Sequence, residues 1–468
     1  MLNFLIQISL WHDEAFSGLL VKYGLKEMIY RTGLDVHPPL YYILLKGWVG
    51  VLGNSPLTLR LFSIFFGALA VFALFLFVKQ ALKDKKLALF SAILLALNSF
   101  FIQFVMEARM FTLGIFLVLI SSFLLLKALD NKKWLWWLLY GLSVGGGIYT
   151  HYYIFFSVLA QAIFIIYWIF KKSDFNALKF TGTAYGLAGL SFLPWLKTFL
   201  SQFGQVQQGY WIPPINFGSV PGTIFKITTG GEVNPANFWQ GLTVLIIAVF
   251  FAVFYFLRKN NKIEKWLLLF LLAVPFLGAI LLSIKTSIYL DRYFIFVSPF
   301  YITILAGAIL SIKNKWLKNI FITAAILGSL ISFPIRWSSL QVENKPGMAE
   351  AAAYVNQDAK PGDKIFVGSS FVYFTFKYYN QTGIQPLLYT PVALEHFSGT
   401  ALLSAEDTIS DFAKAVEKNN TVWLINTTGF GNYRPAAPKG WQELEEKGFQ
   451  DVYDYRGWII VSKYIIDG

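Results

Sequence analysis

Two adjacent carboxylates near the start of the chain, Asp13 and Glu14, have the side-chain chemistry and the setting that a catalytic centre requires. Residues 1–335 contain 27 Lys or Arg but only 11 Asp or Glu, so an acidic pair in this apolar stretch needs a physical reason. One reason is structural, because acids in the first turn of a helix complement its dipole. The other is catalytic, because a carboxylate acts as a general base beside a second acid.

Six more ionisable residues stand in short polar segments between apolar runs: His37, Glu107, Arg109, His151, Asp291 and Arg292. Carboxylates, imidazoles and guanidiniums together suit the transfer of a group from a phosphate leaving group to a hydroxyl. A carboxylate accepts the proton of the attacking hydroxyl. Arginine matches the departing phosphate through paired hydrogen bonds. The residue types therefore favour group transfer.

The segment Asp35-Val36-His37-Pro38-Pro39-Leu40-Tyr41-Tyr42 contains two consecutive prolines. Proline ends a helix and restricts the residue before it, so this segment can hold His37 and Asp35 on a rigid turn. An ordinary turn followed by a pair of interfacial tyrosines explains the same pattern. Both interpretations stay open on these residues alone.

Composition places the chain in a membrane. Of its 468 residues, 56% are hydrophobic, and the mean hydropathy is +0.55. Apolar runs of spanning or near-spanning length predict an α-helical polytopic membrane protein with about ten transmembrane helices. The runs are 57–78, 87–104, 111–126, 134–149, 154–170, 177–196, 238–257, 266–284, 294–312 and 320–335.

The net charge of +13 is distributed unevenly, with +16 in residues 1–335 and −3 in the remainder. The basic residues cluster in alternate short loops: Lys79, Lys83, Lys85 and Lys86; Lys132 and Lys133; Lys171 and Lys172; Arg258, Lys259 and Lys262; Lys313, Lys315 and Lys318. The positive-inside rule places these loops in the cytoplasm, so no nucleic-acid partner is indicated. The six ionisable residues and the acidic pair then share the outer face.

The absence of cysteine excludes disulfides and thiolate sites.

The sequence predicts two domains: a membrane domain over 1–335, with an outer amphipathic segment at 11–56, and a small extracytoplasmic α/β domain over 336–468. In the second domain the patterns predict helices at 349–356, 409–418 and 441–447 and strands at 364–368, 387–389, 421–426 and 458–466. No glycine-rich loop follows a strand there, so a nucleotide-sugar site is not indicated.

Four motifs in a fixed order resemble a known family: Leu10-Trp11-His12-Asp13-Glu14-Ala15-Phe16-Ser17, His37-Pro38-Pro39-Leu40-Tyr41-Tyr42, Leu59-Arg60-Leu61 and Glu107-Ala108-Arg109. They are similar to glycosyltransferase family 39 and its relatives, the protein O-mannosyltransferase and aminoarabinose-transferase superfamily. The resemblance implies the GT-C fold and a polyprenyl-phosphate-linked sugar donor. It also implies inversion at the anomeric carbon. The charges of the loops place this reaction on the outer face of the plasma membrane.

The resemblance also implies roles for individual residues. Asp13 matches the catalytic base, and Glu14 matches its neighbour that orients acceptor or donor. Arg109, together with Arg292, is assigned to the lipid phosphate. The residues assigned to substrate binding are His37, Tyr41, Glu107, His151 and Asp291. The two histidines polarise sugar hydroxyls, help a carboxylate to hold a divalent cation, or satisfy interfacial hydrogen bonds. Family members carry a membrane helix before the acidic pair, whereas only a short stretch, 2–10, stands there in this sequence.

Other functions fit the same composition. One alternative is an oligosaccharide transferase of the same architecture. Another is a flippase or transporter for lipid-linked glycans, which also carries ionisable residues. In transporters such residues lie near the membrane centre on broken helices, whereas here they lie at helix ends on one side. A binding protein that acts through its outer domain leaves the acidic and basic motifs unexplained. The favoured interpretation is a transferase that acts on a lipid, glycan or protein acceptor. The residues do not identify the sugar, the acceptor or a metal requirement.

Overall fold

The computed structural model describes residues 8–208, 211–231, 238–257, 262–338, 347–429, 434–451 and 457–466. Most of these residues are helical. In chain order, the helices before residue 340 are α1 His12–Leu20, α2 Leu25–Leu34, α3 Leu40–Leu52, α4 Pro56–Leu82, α5 Lys85–Leu97, α6 Ser99–Val105, α7 Phe111–Asn131, α8 Trp134–Ile148, α9 Ile154–Lys172, α10 Asn176–Gln208, α11 Ser219–Thr229, α12 Phe238–Leu257, α13 Lys265–Ser283, α14 Ser298–Leu310 and α15 Lys315–Ser338. A 3-10 helix, Asp291–Phe296, precedes α14.

The C-terminal part contains two helices and one mixed sheet. Its elements are α16 Gly347–Asp358, β1 Lys364–Val367, α17 Ser370–Tyr379, β2 Leu387–Tyr389, β3 Thr408–Ile409, β4 Thr421–Thr427, β5 Trp441–Gln450 and β6 Trp458–Ile466. The strand order is β3-β2-β1-β4-β6-β5. The first four strands are parallel to their neighbours, and β6 lies antiparallel to both β4 and β5. The small C-terminal sheet of the predicted fold class is confirmed, and a separate extracytoplasmic domain over 336–468 stays a prediction.

The chain divides into two compact units. The first unit comprises Met1–Asp35, Tyr42–Arg60 and Trp337–Gly468, and the second comprises Val36–Tyr41 and Leu61–Arg336. The first unit therefore joins the acidic segment to the C-terminal sheet, and the second contains most of the apolar helices. The predicted boundary after residue 335 stays a prediction.

All ten predicted apolar runs are helical in large part. Among the residues that the structure describes, five helices are long and apolar enough to cross a membrane, namely α4, α7, α9, α12 and α13. A sixth candidate is the run 87–104, which forms α5 and α6 with a bend of 65° between them. The chain is a multi-pass membrane protein, and a total of ten crossings stays a prediction.

The bend between α5 and α6 has a local cause in Asn98. Its side-chain oxygen accepts a hydrogen bond from the backbone N–H of Phe101 at 2.9 Å and so caps the start of α6. Its amide nitrogen donates to the carbonyl oxygen of Ile227 at 2.8 Å. The side chain thus replaces backbone hydrogen bonds that a straight helix would make.

The helix predicted at 409–418 is wrong. Residues 408 and 409 form β3, and Phe412–Lys414 is a short 3-10 helix. The reason is that Asp411 accepts a hydrogen bond from the N–H of Ala413 at 3.0 Å, which favours a local turn. Phe412 also stacks on Tyr389 of β2, with ring centroids 4.2 Å apart, and this contact holds the segment on the sheet.

The helix predicted at 441–447 is also wrong, because these residues belong to strand β5. The backbone of β5 pairs antiparallel with β6 from Trp441 to Gln450. Most of its side chains are exposed, and several are charged, which is typical of an edge strand that avoids further pairing. The local helix propensity of its glutamates is overridden by these non-local hydrogen bonds.

Candidate active site

The acidic pair lies in the first turn of α1, and its two carboxylates have different surroundings. Glu14 is completely buried, whereas the side chain of Asp13 is partly exposed. The backbone N–H of Trp11 donates to Glu14 at 3.4 Å, so Glu14 caps the helix that carries both acids. Asp13 is therefore the carboxylate that a substrate can reach.

Glu14 is held by Arg60 from the first turns of α4. The Nε of Arg60 donates to one carboxylate oxygen of Glu14 at 2.9 Å, and its Nη2 donates to the other at 2.8 Å. The guanidinium also donates to the carbonyl oxygens of Ile8 at 2.9 Å and Ser9 at 3.1 Å. Because Arg60 is 1% exposed, this bidentate pair is fully desolvated. Arg60 therefore fixes both the acid and the chain that leads into α1.

The C-terminal part of the first unit supports α1. The N–H of Leu10 donates to the hydroxyl of Tyr379 at 2.8 Å, and the N–H of Ala349 donates to the hydroxyl of Ser9 at 2.9 Å. His12, which is buried, packs against two phenylalanine rings of α17, each at a centroid distance of 5.4 Å. These contacts hold the backbone beside Asp13.

In the second unit, the Pro-Pro turn and two loops bring three predicted residues together. Nη2 of Arg109 lies 3.3 Å from Nε2 of His37. The rings of His37 and His151 meet edge to face at 6.2 Å. The carbonyl of His37 accepts a hydrogen bond from Gln202 at 3.3 Å, which helps to fix the turn. A basic cluster thus forms from residues that are far apart in sequence.

His151 lies between α8 and α9 and is held as a neutral imidazole. Its Nδ1 accepts a hydrogen bond from the N–H of Tyr153 at 3.1 Å, so the neutral ring carries its proton on Nε2. Burial, followed by the charges of His37, Arg109 and Arg292, lowers the pKa of His151 well below its usual value. The ring is therefore a hydrogen-bond donor through Nε2 at neutral pH.

Arg292 stands in the 3-10 helix Asp291–Phe296. Its guanidinium lies over the ring of Trp211 at 5.3 Å and near the ring of Tyr293 at 5.8 Å. Asp291 accepts a hydrogen bond from the N–H of Arg292 at 2.6 Å through one oxygen. Its other oxygen forms an ion pair with Lys226 at 2.8 Å. Asp291 thereby anchors the backbone that presents Arg292.

The basic cluster borders an apolar cavity of about 390 Å³ in the second unit. His37 and His151 line the cavity, and so does Tyr293, which neighbours Arg292. Much of the remaining wall is apolar, including Phe155 and Phe199. A space of this kind suits an amphiphile whose anionic head meets the imidazoles and guanidiniums.

Not every predicted residue lines this cavity. Tyr41 is completely buried and packs on Phe62 at 5.6 Å, and Glu107 is 8% exposed and precedes Arg109 in the loop between α6 and α7. Their substrate contacts stay predictions. Within the described ranges, no three His, Asp or Glu side chains lie close enough together to hold a metal ion. A role of the histidines toward a divalent cation also stays a prediction.

Two residues of this arrangement had no assigned role from the sequence. Arg60 was noted only as part of a motif, and a lone arginine at the start of the long apolar helix α4 is the signal that identifies it. Lys226 is a lone cation in α11, between two apolar helices. Their acidic partners, Glu14 and Asp291, are 46 and 65 positions away, so spacing does not reveal the pairs.

Residues 36–196, about a third of the chain, match the family model described as dolichyl-phosphate-mannose-protein mannosyltransferase. Over this segment the chain is similar to the glycosyltransferase family 39 superfamily. The predicted resemblance is confirmed, and the matched segment includes His37, Arg109 and His151 of the basic cluster. No curated protein sequence matches the chain significantly.

Comparison with solved structures identifies the fold of the chain. The crystal structure of ArnT from Cupriavidus metallidurans bound to undecaprenyl phosphate is 12% identical and has a TM-score of 0.60, with 98% of this chain and 95% of that chain covered. Its apo state is 11% identical, with the same coverage and a TM-score of 0.58. A third structure is the S. cerevisiae protein O-mannosyltransferase Pmt1–Pmt2 complex bound to the sugar donor. It is 20% identical, with 43% of this chain and 32% of that chain covered. Its TM-score of 0.35 is too low to indicate a shared fold. The GT-C fold is therefore shared with ArnT.

Proposed function

We propose that this chain is an integral-membrane, inverting glycosyltransferase that uses a polyprenyl-phosphate-linked sugar. The sugar is a mannose-like hexose or a modified pentose, and the acceptor offers a hydroxyl or a phosphate on a lipid, a glycan or a protein. Transfer takes place on the outer face of the plasma membrane, where the positive-inside rule puts the acidic and basic motifs.

One observation carries the proposal, namely the basic cluster at the edge of the apolar cavity. Nη2 of Arg109 lies 3.3 Å from Nε2 of His37, and the ring of His151 lies 6.2 Å from that of His37 and 4.9 Å from that of Tyr293, which follows Arg292 in sequence. An isoprenoid tail fits the aromatic wall, and a phosphate at its end fits the cations. The undecaprenyl phosphate bound to ArnT has this chemistry, which supports the same donor class here.

The reaction follows from the chemistry of the assigned groups. The carboxylate of Asp13 accepts the proton of the acceptor O–H group, and the acceptor oxygen forms a bond to the anomeric carbon. The bond from that carbon to the phosphate oxygen breaks, and the polyprenyl phosphate leaves with the electron pair. Arg109 and Arg292 stabilise its added negative charge. His151, a neutral donor through Nε2, hydrogen-bonds a sugar or phosphate oxygen, and Glu14 positions Asp13.

The experiment is transfer of radiolabelled sugar from a panel of polyprenyl-phosphate donors by membranes that contain the full chain. We expect Asp13→Asn to reduce kcat by about 10²–10⁴-fold, because it removes the general base. We expect Arg109→Ala to weaken donor use by about 10–100-fold, because it removes a charge-assisted contact of about 1.5–3 kcal/mol. Matched controls are Asp358→Asn and Arg434→Ala, since both side chains form solvent-exposed ion pairs in the C-terminal part.

The outcomes separate the alternatives. Wild-type transfer that persists in Asp13→Asn would eliminate Asp13 as the base. Binding of polyprenyl phosphate without transfer from any donor would contradict the enzyme and favour a lipid-carrier transporter. Transfer of a whole oligosaccharide in place of a single sugar would identify the related oligosaccharide transferase.

A further inference from the structure

A second cavity, of about 480 Å³, lies within the first unit and takes no part in the proposed reaction. It opens where the chain leaves α1 and faces the helix and loop that follow β1. Lys22 and Tyr23 line one side, and Phe374, Lys377 and Gln385 line the other. Its volume lies within the range of about 300–1,000 Å³ that small-molecule sites occupy.

The cavity carries an excess of positive charge. The ammonium of Lys22 lies over the ring of Tyr378 at 5.4 Å and, within the described ranges, forms no ion pair. Loss of hydration, and then the nearby charge of Lys377, lowers the pKa of Lys22. Two ammonium groups in one recess repel each other, so an anion between them would be stabilised by both.

Asp407, the carboxylate that forms an ion pair with Lys377 of the cavity lining, is already fully engaged. One of its oxygens accepts hydrogen bonds from Tyr373 at 2.8 Å and Gln385 at 2.6 Å, and from Lys377. The other accepts two from Ser404, at 2.8 and 3.0 Å. Asp407 therefore balances Lys377 and leaves the charge of Lys22 for a ligand.

The rest of the lining identifies what kind of anion fits. Tyr23 and Phe374 contribute aromatic surface, and Leu402 and Pro386 add apolar surface. The side chain of Gln385 donates to Asp407, and this leaves its carbonyl oxygen as an acceptor. Aromatic surface packs against the C–H face of a sugar ring, while amides bond its hydroxyls and ammoniums bond its charge.

We propose that this cavity binds a carbohydrate that carries a phosphate or a carboxylate, and that this carbohydrate belongs to the acceptor. The assignment of this carbohydrate to the acceptor rests on the proposed function. Lys22 lies two residues beyond the end of α1, the helix that carries Asp13, and the seven helical steps from Asp13 to Leu20 already span about 10.5 Å at 1.5 Å per residue. A short oligosaccharide covers that distance. The charged sugar in the cavity would thus be held apart from the hydroxyl that reacts.

Isothermal titration calorimetry on the purified full-length protein tests the site. The probes are glucose 1-phosphate, glucuronate, glucose and inorganic phosphate. We expect the two charged sugars to bind at least tenfold more tightly than glucose or phosphate alone. We expect Lys22→Gln to weaken charged-sugar binding about tenfold, and the control Lys26→Gln, on α2 and outside the lining, to leave it unchanged. Unchanged binding by Lys22→Gln, or phosphate binding as tight as that of glucose 1-phosphate, would overturn the proposal.

A second measurement tests the acceptor role. In the transfer assay, glucuronate should inhibit wild type competitively against the acceptor and not against the donor, and Lys22→Gln should be about tenfold less sensitive. Absence of inhibition despite binding would refute the acceptor role. Calorimetry requires no transfer, so a site that binds in a protein without transferase activity would refute the proposed function and leave the site standing.

Discussion

Replacement of Arg60 by methionine tests whether the buried ion pair holds the catalytic helix. Arg60→Met removes two hydrogen bonds to Glu14 and two to backbone carbonyls, all between 2.8 and 3.1 Å. It also removes the guanidinium countercharge that Arg60 supplies to the carboxylate of Glu14, which is 0% exposed. Loss of one member of a buried pair costs about 3–5 kcal/mol. We therefore expect the unfolding free energy to fall by about that amount.

The matched double variant separates pairing from packing. Glu14→Leu combined with Arg60→Met replaces the pair by apolar side chains, and such exchanges are often neutral or stabilising. We expect the double variant to recover at least about 2 kcal/mol relative to Arg60→Met. The control Lys83→Met breaks an exposed pair with Asp130, which is worth about 0–1 kcal/mol. Unfolding in mixed detergent–SDS micelles measures all of these variants.

The reasoning would be refuted if Arg60→Met lost less than about 1 kcal/mol, or if the losses of the two single variants simply added in the double variant. Kinetics then give the role of Glu14. If Glu14 only positions Asp13, the double variant regains kcat together with stability. If its carboxylate contacts substrate, the double variant is stable and its kcat stays low.

Two further predictions concern local environments. The pKa of His151 lies below the ordinary value of about 6.5, so as pH drops below 6.5 this side chain binds a proton in the unfolded chain and stays neutral in the folded protein. The unfolding free energy should therefore fall by up to about 1.4 kcal/mol per pH unit. In thermal unfolding from pH 7 to 5, His151→Gln should lose stability less steeply than wild type, and equal slopes would contradict the lowered pKa of His151. At Gly18, a Cβ would lie 2.7 Å from the ring of Tyr378 and 3.0 Å from Leu59. Gly18→Ala should therefore lower the unfolding free energy by about 1–3 kcal/mol. The control Gly24→Ala, where the space around Cβ is open, should change it by less than about 0.5 kcal/mol. Similar melting temperatures for the two variants would rule out a close contact at Gly18.

The apolar helices could be predicted from sequence because hydropathy is a strong local signal. The bend between α5 and α6 was not predicted, since it depends on a hydrogen bond from Asn98 to Ile227, 129 positions away. Strand β5 was missed for a related reason. Its glutamates favour a helix locally, and only pairing with β6 makes the segment extended.

The basic cluster was predicted residue by residue, and the structure brings His37, Arg109 and His151 together. These residues could be identified because ionisable side chains stand out between apolar runs. The motifs did not reveal which basic residues form ion pairs with the acidic residues. Glu14 bonds Arg60 and Asp291 bonds Lys226, and such contacts depend on how helices pack, which a linear pattern does not specify.

The hydrogen bond between Leu10 and Tyr379 joins positions 369 residues apart. During synthesis the ribosome therefore releases α1 long before its partner α17 exists. The entropy of closing so long a loop is modest, because each doubling of loop length adds only about 0.6 kcal/mol. The consequence is one of timing: a nascent chain that already contains every apolar helix still lacks the tyrosine that fixes the backbone next to Asp13. The backbone beside Asp13 is thus fixed by this contact only after α17 has been translated and has folded.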